Sequence, residues 1–152
     1  MQLARRPAPC RRRGFTLIEL VIAIAIVATL AGIAVPTFAD HLRRGRIVEA
    51  LARLADHRAR MEQYFLDNRR YDDGAGNCGY AVSPASAADA FTLDCTASAT
   101  AYAVSATGVP GKGTQGFVYT VDESDARSTP AVPGGWVASR TCWVMRRDGS
   151  CG

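Results

Sequence analysis

Glu19 is the side chain in this sequence whose position most needs a chemical reason. It stands in "RRRGFTLIEL", residues 11–20, where three arginines end at Gly14 and an apolar run opens at Phe15. From Leu17 to Val35 that run carries one charge and no proline. An ionised carboxylate inside a bilayer costs on the order of 2.5–3.5 kcal/mol on insertion scales, so a group placed there needs a partner. Cysteine is the second reactive type. Cys10 lies in the basic start, whereas Cys78, Cys95, Cys142 and Cys151 fall in the C-terminal half. Four cysteines in a small region rich in Gly, Ser and Thr point to two disulfides and an oxidising compartment. No C-x2-C spacing occurs, and His41 and His57 lie far off on a predicted helix, which argues against zinc. Of the three connectivities, Cys78–Cys95 would tie a loop to the first strand. Cys142–Cys151 would then close a short loop over "WVMRRDGS". This pairing is favoured, and the crossed pairings stay compatible with the spacing.

Other constellations fail on spacing. "GVPGKGTQG", residues 108–116, lacks the G-x4-G-K-[ST] pattern of a phosphate loop, because Gly113 follows Lys112. Asp56 and His57 are adjacent on a helix and point about 100° apart, so they cannot act as a pair. Asp72 and Asp73 sit in a loop and serve to solvate it. The sequence thus offers no catalytic residue, no metal site and no cofactor, and the expectation is a protein that is not an enzyme.

The elements that must position Glu19 and the cysteines follow from periodicity. The nineteen residues from Leu17 to Val35 would span about 28 Å as a helix, roughly one hydrocarbon core. The arginines before it should stay cytoplasmic, and the rest of the chain is then exported. A conventional cleaved signal is less consistent, since the run is long, contains Glu19 and continues into more helical sequence. Beyond it, Ile47, Leu51, Leu54, Met61 and Phe65 form an amphipathic stripe with Arg58 in the missing slot, predicting a helix to about Asn68. Pro36 removes an amide donor and crowds the carbonyl of Gly32, so the helix is expected to be weakened there.

After Asn68, "NRRYDDGAGNCG" reads as a loop, and then the period becomes two. Short β-prone runs occur at 91–95, 101–108, 116–123 and 140–147. Hairpin order predicts an antiparallel sheet whose apolar face is covered by the helical stripe. The expected fold class is α+β. Its expected parts are a basic leader (1–14), a membrane helix (15–38), an amphipathic helix (39–68) and a disulfide-closed β head (69–152), with 39–152 forming the globular domain.

The segment "RRRGFTLIELVIAIAIVATLAGIAVP" resembles the type IV pilins, and the resemblance is specific over residues 11–38. It implies cutting between Gly14 and Phe15 by a prepilin peptidase, which also methylates Phe15 as the new amino terminus. Cys10 would be lost with the leader. Glu19, fifth residue of the mature chain, would pair with the amine of Phe15 in the neighbouring subunit and set the register of a helical fibre. Gly32 and Pro36 match the region where pilin helices lose regularity in the fibre. The implied partners are other pilin subunits, the peptidase, the inner-membrane assembly machinery and, before assembly, membrane lipid. The chain would sit in the bacterial inner membrane with a cytoplasmic N-terminus and later in an extracellular pilus.

Within that family, "RMEQYFLDNRRYDD" and the final "CWVMRRDGSC" resemble minor pilins of the PilE kind and competence pilins that take up DNA. The expected role is a minor pilin that joins or primes the fibre. A DNA-uptake receptor is the first alternative. A type II secretion pseudopilin is the second, less favoured because two C-terminal disulfides are more pilin-like. DNA as a partner is weighed on Lys112, Arg140, Arg146 and Arg147, together with Arg127, and on Trp136, Trp143 and Tyr119 as stacking surfaces. The overall charge of +4 adds little, because five of the 18 basic residues precede Phe15. Against 14 acidic residues, the remainder is then slightly negative.

Overall fold

Thr16 starts the helix. The computed structural model describes residues 15–152, with the side chains of residues 35–37 excepted, so Cys10 and Gly14 lie outside the described residues. Thr16 Oγ1 accepts the backbone N–H of Glu19 at 3.3 Å, and its carbonyl accepts that of Leu20 at 3.2 Å. Thr-x-x-Glu is a capping sequence, and it sets the start of α1, Leu17–Asn68. The helical assignment continues through Gly32 and Pro36. It stops where Arg69 enters the left-handed region at φ 58°, donating its N–H to the Phe65 carbonyl at 2.8 Å. That is the αL cap, here made by a non-glycine residue.

The chain divides after Ala39. In the first unit the described apolar residues are exposed on every side, including Ile18, Ile24, Val27 and Ile33. A helix apolar all round belongs in an apolar medium, and α1 is long and apolar enough to cross a membrane.

The second unit, Asp40–Gly152, has its own core. On the helical face, Ile47, Ala50, Leu54, His57 and Met61 are buried, stepping by three and four. Leu51 and Phe65 flank this line, partly buried. They cover the sheet formed by β1 (Phe91–Ala97), β2 (Tyr102–Gly108), β3 (Val118–Asp122) and β4 (Arg127–Ala131), an antiparallel meander in the order β1-β2-β3-β4. Alternation does the sorting: Tyr102, Val104 and Ala106 of β2 and Tyr119 and Val121 of β3 all face inward and are buried.

One expected strand is wrong. Residues 140–147 form only an isolated bridge, Val144 to Cys151, and the fourth strand lies at Arg127–Ala131 instead. Pro130 disguises β4, yet a proline is tolerated on the last strand of a meander. The ladder shifts register between Val118 and Thr120, opposite that proline. The C-terminal segment is held on the sheet by side chains rather than by a ladder. Tyr119 Oη donates to the Val144 carbonyl at 2.9 Å and Trp143 Nε1 to the Thr120 carbonyl at 2.8 Å. Thr129 Oγ1 donates to the Cys142 carbonyl and accepts the Val144 N–H.

Two disulfides close the unit. Cys78–Cys95 joins the loop after α1 to β1, with Cα atoms 6.0 Å apart, and Cys142–Cys151 closes the C-terminal turn at 5.9 Å. A polar clasp also ties helix to sheet. Glu62 accepts both the Tyr71 and the Tyr102 hydroxyls at 3.1 Å, and burial together with this carboxylate pushes the Tyr102 hydroxyl's pKa up. Arg58, read as a polar slot in the stripe, pairs at 3.4 Å with Asp125 beside β4.

Candidate functional sites at the helix start and on the basic surface of the head

Two sets of residues are the functional candidates of the sequence, one at the start of α1 and one on the head. At the helix start, Phe15 is 88% exposed and Glu19 occupies the first turn. Carboxylates in a first turn are favoured by the unpaired amides and the helix dipole. The first-turn position therefore gives the Glu19 carboxylate a local reason to be there, and the Thr-x-x-Glu spacing was the signal for it. Gly14, the other half of the expected junction, is outside the described residues.

On the head, the four expected cations do not form one patch. Arg140 lines a cleft of about 500 Å³ with Arg127, Trp143 and the terminal Gly152. There the Arg127 guanidinium lies 4.6 Å from the Trp143 ring centre and pairs with Asp125 through two bonds of 3.1 Å. Arg140 makes no ion pair among the described residues, so its charge is the uncommitted one in that cleft. Arg147 lines a different cleft, of about 440 Å³, with Arg43, Gly111, Gly113, Gln115 and Trp136. Lys112 lies on that same loop, its carbonyl accepting Arg46. Arg146 is exposed and lines neither cleft.

The aromatic side chains divide in the same way. Tyr119 is fully buried and stacks on Phe117, so the expected stacking surface at this residue is a core contact. Trp143 is partly covered, and Trp136 meets Phe117 edge-on at 4.8 Å. Acidic groups also punctuate the surface. Hydrogen bonds from the Ser150 N–H and hydroxyl hold the Asp148 carboxyl below the usual carboxylate range, keeping a negative charge near Arg146.

Sequence reasoning missed two groups. Asp40 accepts from Arg43 and from Arg147, which is 107 residues away, and no local pattern signals such a pairing. His57 was placed on the helix but not in the core, because a histidine reads as polar in an apolar stripe.

Comparison with known proteins gives a consistent result. Residues 36–116, just over half of the chain, match the family described as type IV minor pilin ComP, DNA uptake sequence receptor. Residues 9–35 match the prokaryotic N-terminal methylation motif. The chain is 34% identical over 73 residues to the type IV major pilin protein PilE1 of Neisseria gonorrhoeae, covering 48% of this chain and 44% of that protein. It is 41% identical over 71 residues to the type IV major pilin protein PilA of Myxococcus xanthus, covering 47% and 32%. With the type IV major fimbrial protein FimA of Dichelobacter nodosus it shares 34% over 62 residues, covering 41% and 39%. The chain thus spans less than half the length of these relatives.

Proposed function

We propose a function from a plain premise: this chain belongs to the type IV minor pilin family. On that premise it is a structural subunit, anchored in the membrane by the first part of α1 and then built with other pilin subunits into an extracellular pilus. The observation that carries this is the methylation motif at 9–35 abutting the family match at 36–116, on a chain with one exposed apolar helix and a separate disulfide-closed head. A prepilin peptidase would cut between Gly14 and Phe15 and methylate Phe15. The carboxylate of Glu19, one turn into α1, would then meet the amine of a neighbouring subunit. Gly32 and Pro36 would let the helix yield in the fibre, and the head would form its outer surface. Fibres sheared from cells should contain the mature chain. Glu19→Gln should leave cleavage intact but drop recovery in the fibre by about tenfold or more, since loss of one buried partner strands the other charge. Equal recovery of both forms would break the register role.

DNA uptake is the second reading, favoured by the description of the matched family and by the Arg140–Trp143 cleft. An uncommitted guanidinium beside a partly exposed indole suits a phosphate and a neighbouring base. Labelled duplex titrated with the chain at rising salt should give a log–log slope of about −0.9 per phosphate contacted. Arg140→Ala should flatten that slope by about one contact. Binding that ignores salt, or an unchanged slope, would remove this reading.

A further inference from the structure

The beginning of the head holds more positive charge than its carboxylates neutralise. Asp40 Oδ1 accepts Arg43 Nη1 at 2.9 Å, and the two Asp40 oxygens accept Arg147 Nη2 at 3.1 and 3.2 Å. One carboxylate therefore sits between two guanidiniums, and a positive charge is left over. Arg43 Nε also donates to the Gly113 carbonyl at 2.7 Å and Arg46 to that of Lys112, which pins the glycine-rich loop 109–116 to the helix. Gly111 and Gly113 take φ of +77° and +71°, and a Cβ at Gly113 would lie 3.6 Å from Arg46 Nη1. Glycine at these positions is what lets the loop backbone take this left-handed shape.

The cleft of about 440 Å³ between these parts has Arg43 and Arg147 on its walls and Trp136 on its flank. Arginine offers five N–H donors in a planar fork, and Arg147 commits only Nη2 to Asp40 while its side chain stays 59% exposed. The remaining donors suit an oxyanion. Guanidinium and indole side chains together on the cleft wall are the composition of a membrane interface.

We propose that this cleft holds the phosphodiester headgroup of an anionic phospholipid while the chain is still embedded in the membrane. The choice of occupant follows from chain position. Asp40 comes directly after an apolar run that began at Leu17, which at 1.5 Å per residue extends about 34 Å. That is slightly more than a hydrocarbon core, so Asp40 and Arg43 fall at headgroup depth. The site rests on the membrane-anchored reading above. It gives the unassembled subunit a lipid contact that it must release on entering a fibre.

The test uses the full chain in phosphatidylcholine nanodiscs with increasing phosphatidylglycerol, read by hydrogen exchange of residues 109–116 and 133–137. Protection of both segments should rise with phosphatidylglycerol, and Arg43→Gln with Arg147→Gln should abolish the rise. Asp40→Asn removes the competing carboxylate. It should lower the phosphatidylglycerol fraction for half protection by about fivefold, the effect of one surface charge. Arg147→Gln alone should raise that fraction. If the cluster were only a clasp, Asp40→Asn and Arg147→Gln would loosen the loop alike, and that result overturns the site. Unchanged exchange of the β2 and β3 amides in neutral discs certifies that each variant is folded. Inorganic phosphate and duplex DNA are added separately to neutral discs. Protection by either without any response to phosphatidylglycerol would assign the cleft to that ligand and overturn the lipid. A chain that inserts but shows no lipid-dependent protection rejects this site alone, whereas a chain that fails to insert rejects the membrane reading beneath it.

Discussion

At the scale of single residues, His57 is the least comfortable side chain in the head. It is buried in the helical face of the core, its ring 5.2 Å from that of Tyr80, and Nε2 is enclosed without a hydrogen bond. Burial lowers its pKa from the ordinary 6.5, with Asp56 opposing and Arg60 adding to the shift. The sign of the pH dependence follows. The unfolded chain binds a proton near 6.5 and the folded chain only at lower pH, so this contribution to stability is present above 6.5 and lost as pH falls toward the folded value. His57→Leu should therefore stabilise the head by about 1 kcal/mol at neutral pH, because an unpaired buried polar atom is removed. It should also flatten the loss of melting temperature between pH 7 and about 5, above the range where carboxylates titrate. Melting curves at several pH values decide the matter, and an unchanged slope in the variant would assign the sensitivity elsewhere. Glu19 teaches a related lesson about local and global causes. Its carboxylate stands in the first turn of α1, where the helix dipole favours a negative charge, so the residue has a reason within its own chain beside the intersubunit one proposed above.

At the scale of elements, the two disulfides are not equivalent. Cys78–Cys95 joins a buried residue to β1 and spans 17 positions, whereas Cys142–Cys151 spans 9 near the surface. Chain entropy alone gives similar values, about 3 kcal/mol for loops of this size. Context separates them. The segment around Cys142 is also held by Tyr119, Trp143 and Thr129, while Cys78 is followed by a long stretch without regular structure. Cys78→Ser with Cys95→Ser should lower the global unfolding free energy by about 3 kcal/mol. Cys142→Ser with Cys151→Ser should instead speed exchange at Met145 and Val137, whose amides bond within that turn, with a smaller global loss. Denaturant melts beside exchange mapping test both, and equal global losses would contradict the distinction. These elements also mark how far the sequence was readable. α1 and the first three strands were visible because apolar spacing of 3.6 and of 2 is a local property. β4 was hidden by Pro130, and residues 140–147 imitated a strand because Cys142, Trp143 and Val144 are β-prone. Their actual bonds run to side chains on β3 and β4, which no local pattern records. The Asp40–Arg147 pairing was illegible for the same reason: it depends on where distant loops arrive.

At the scale of the whole molecule, the chain has two parts that need different surroundings. The first exposes nearly every apolar side chain described in it, which is tolerable only in lipid or against other apolar helices. The second buries its own core and is closed by two disulfides, so it suits an oxidising compartment outside the cytoplasm. On the proposed function, a subunit made this way would wait in a membrane and later trade lipid for its neighbours' helices. On the proposed reading the trade uses the free amine of Phe15, and that makes processing at Gly14 the central claim. Intact-mass and N-terminal peptide analysis of the protein recovered from cells tests it directly. The account predicts a chain that starts at N-methylated Phe15 and lacks the four hydrogens removed by two disulfides. A chain that keeps Met1, or that begins beyond Val35, would contradict it.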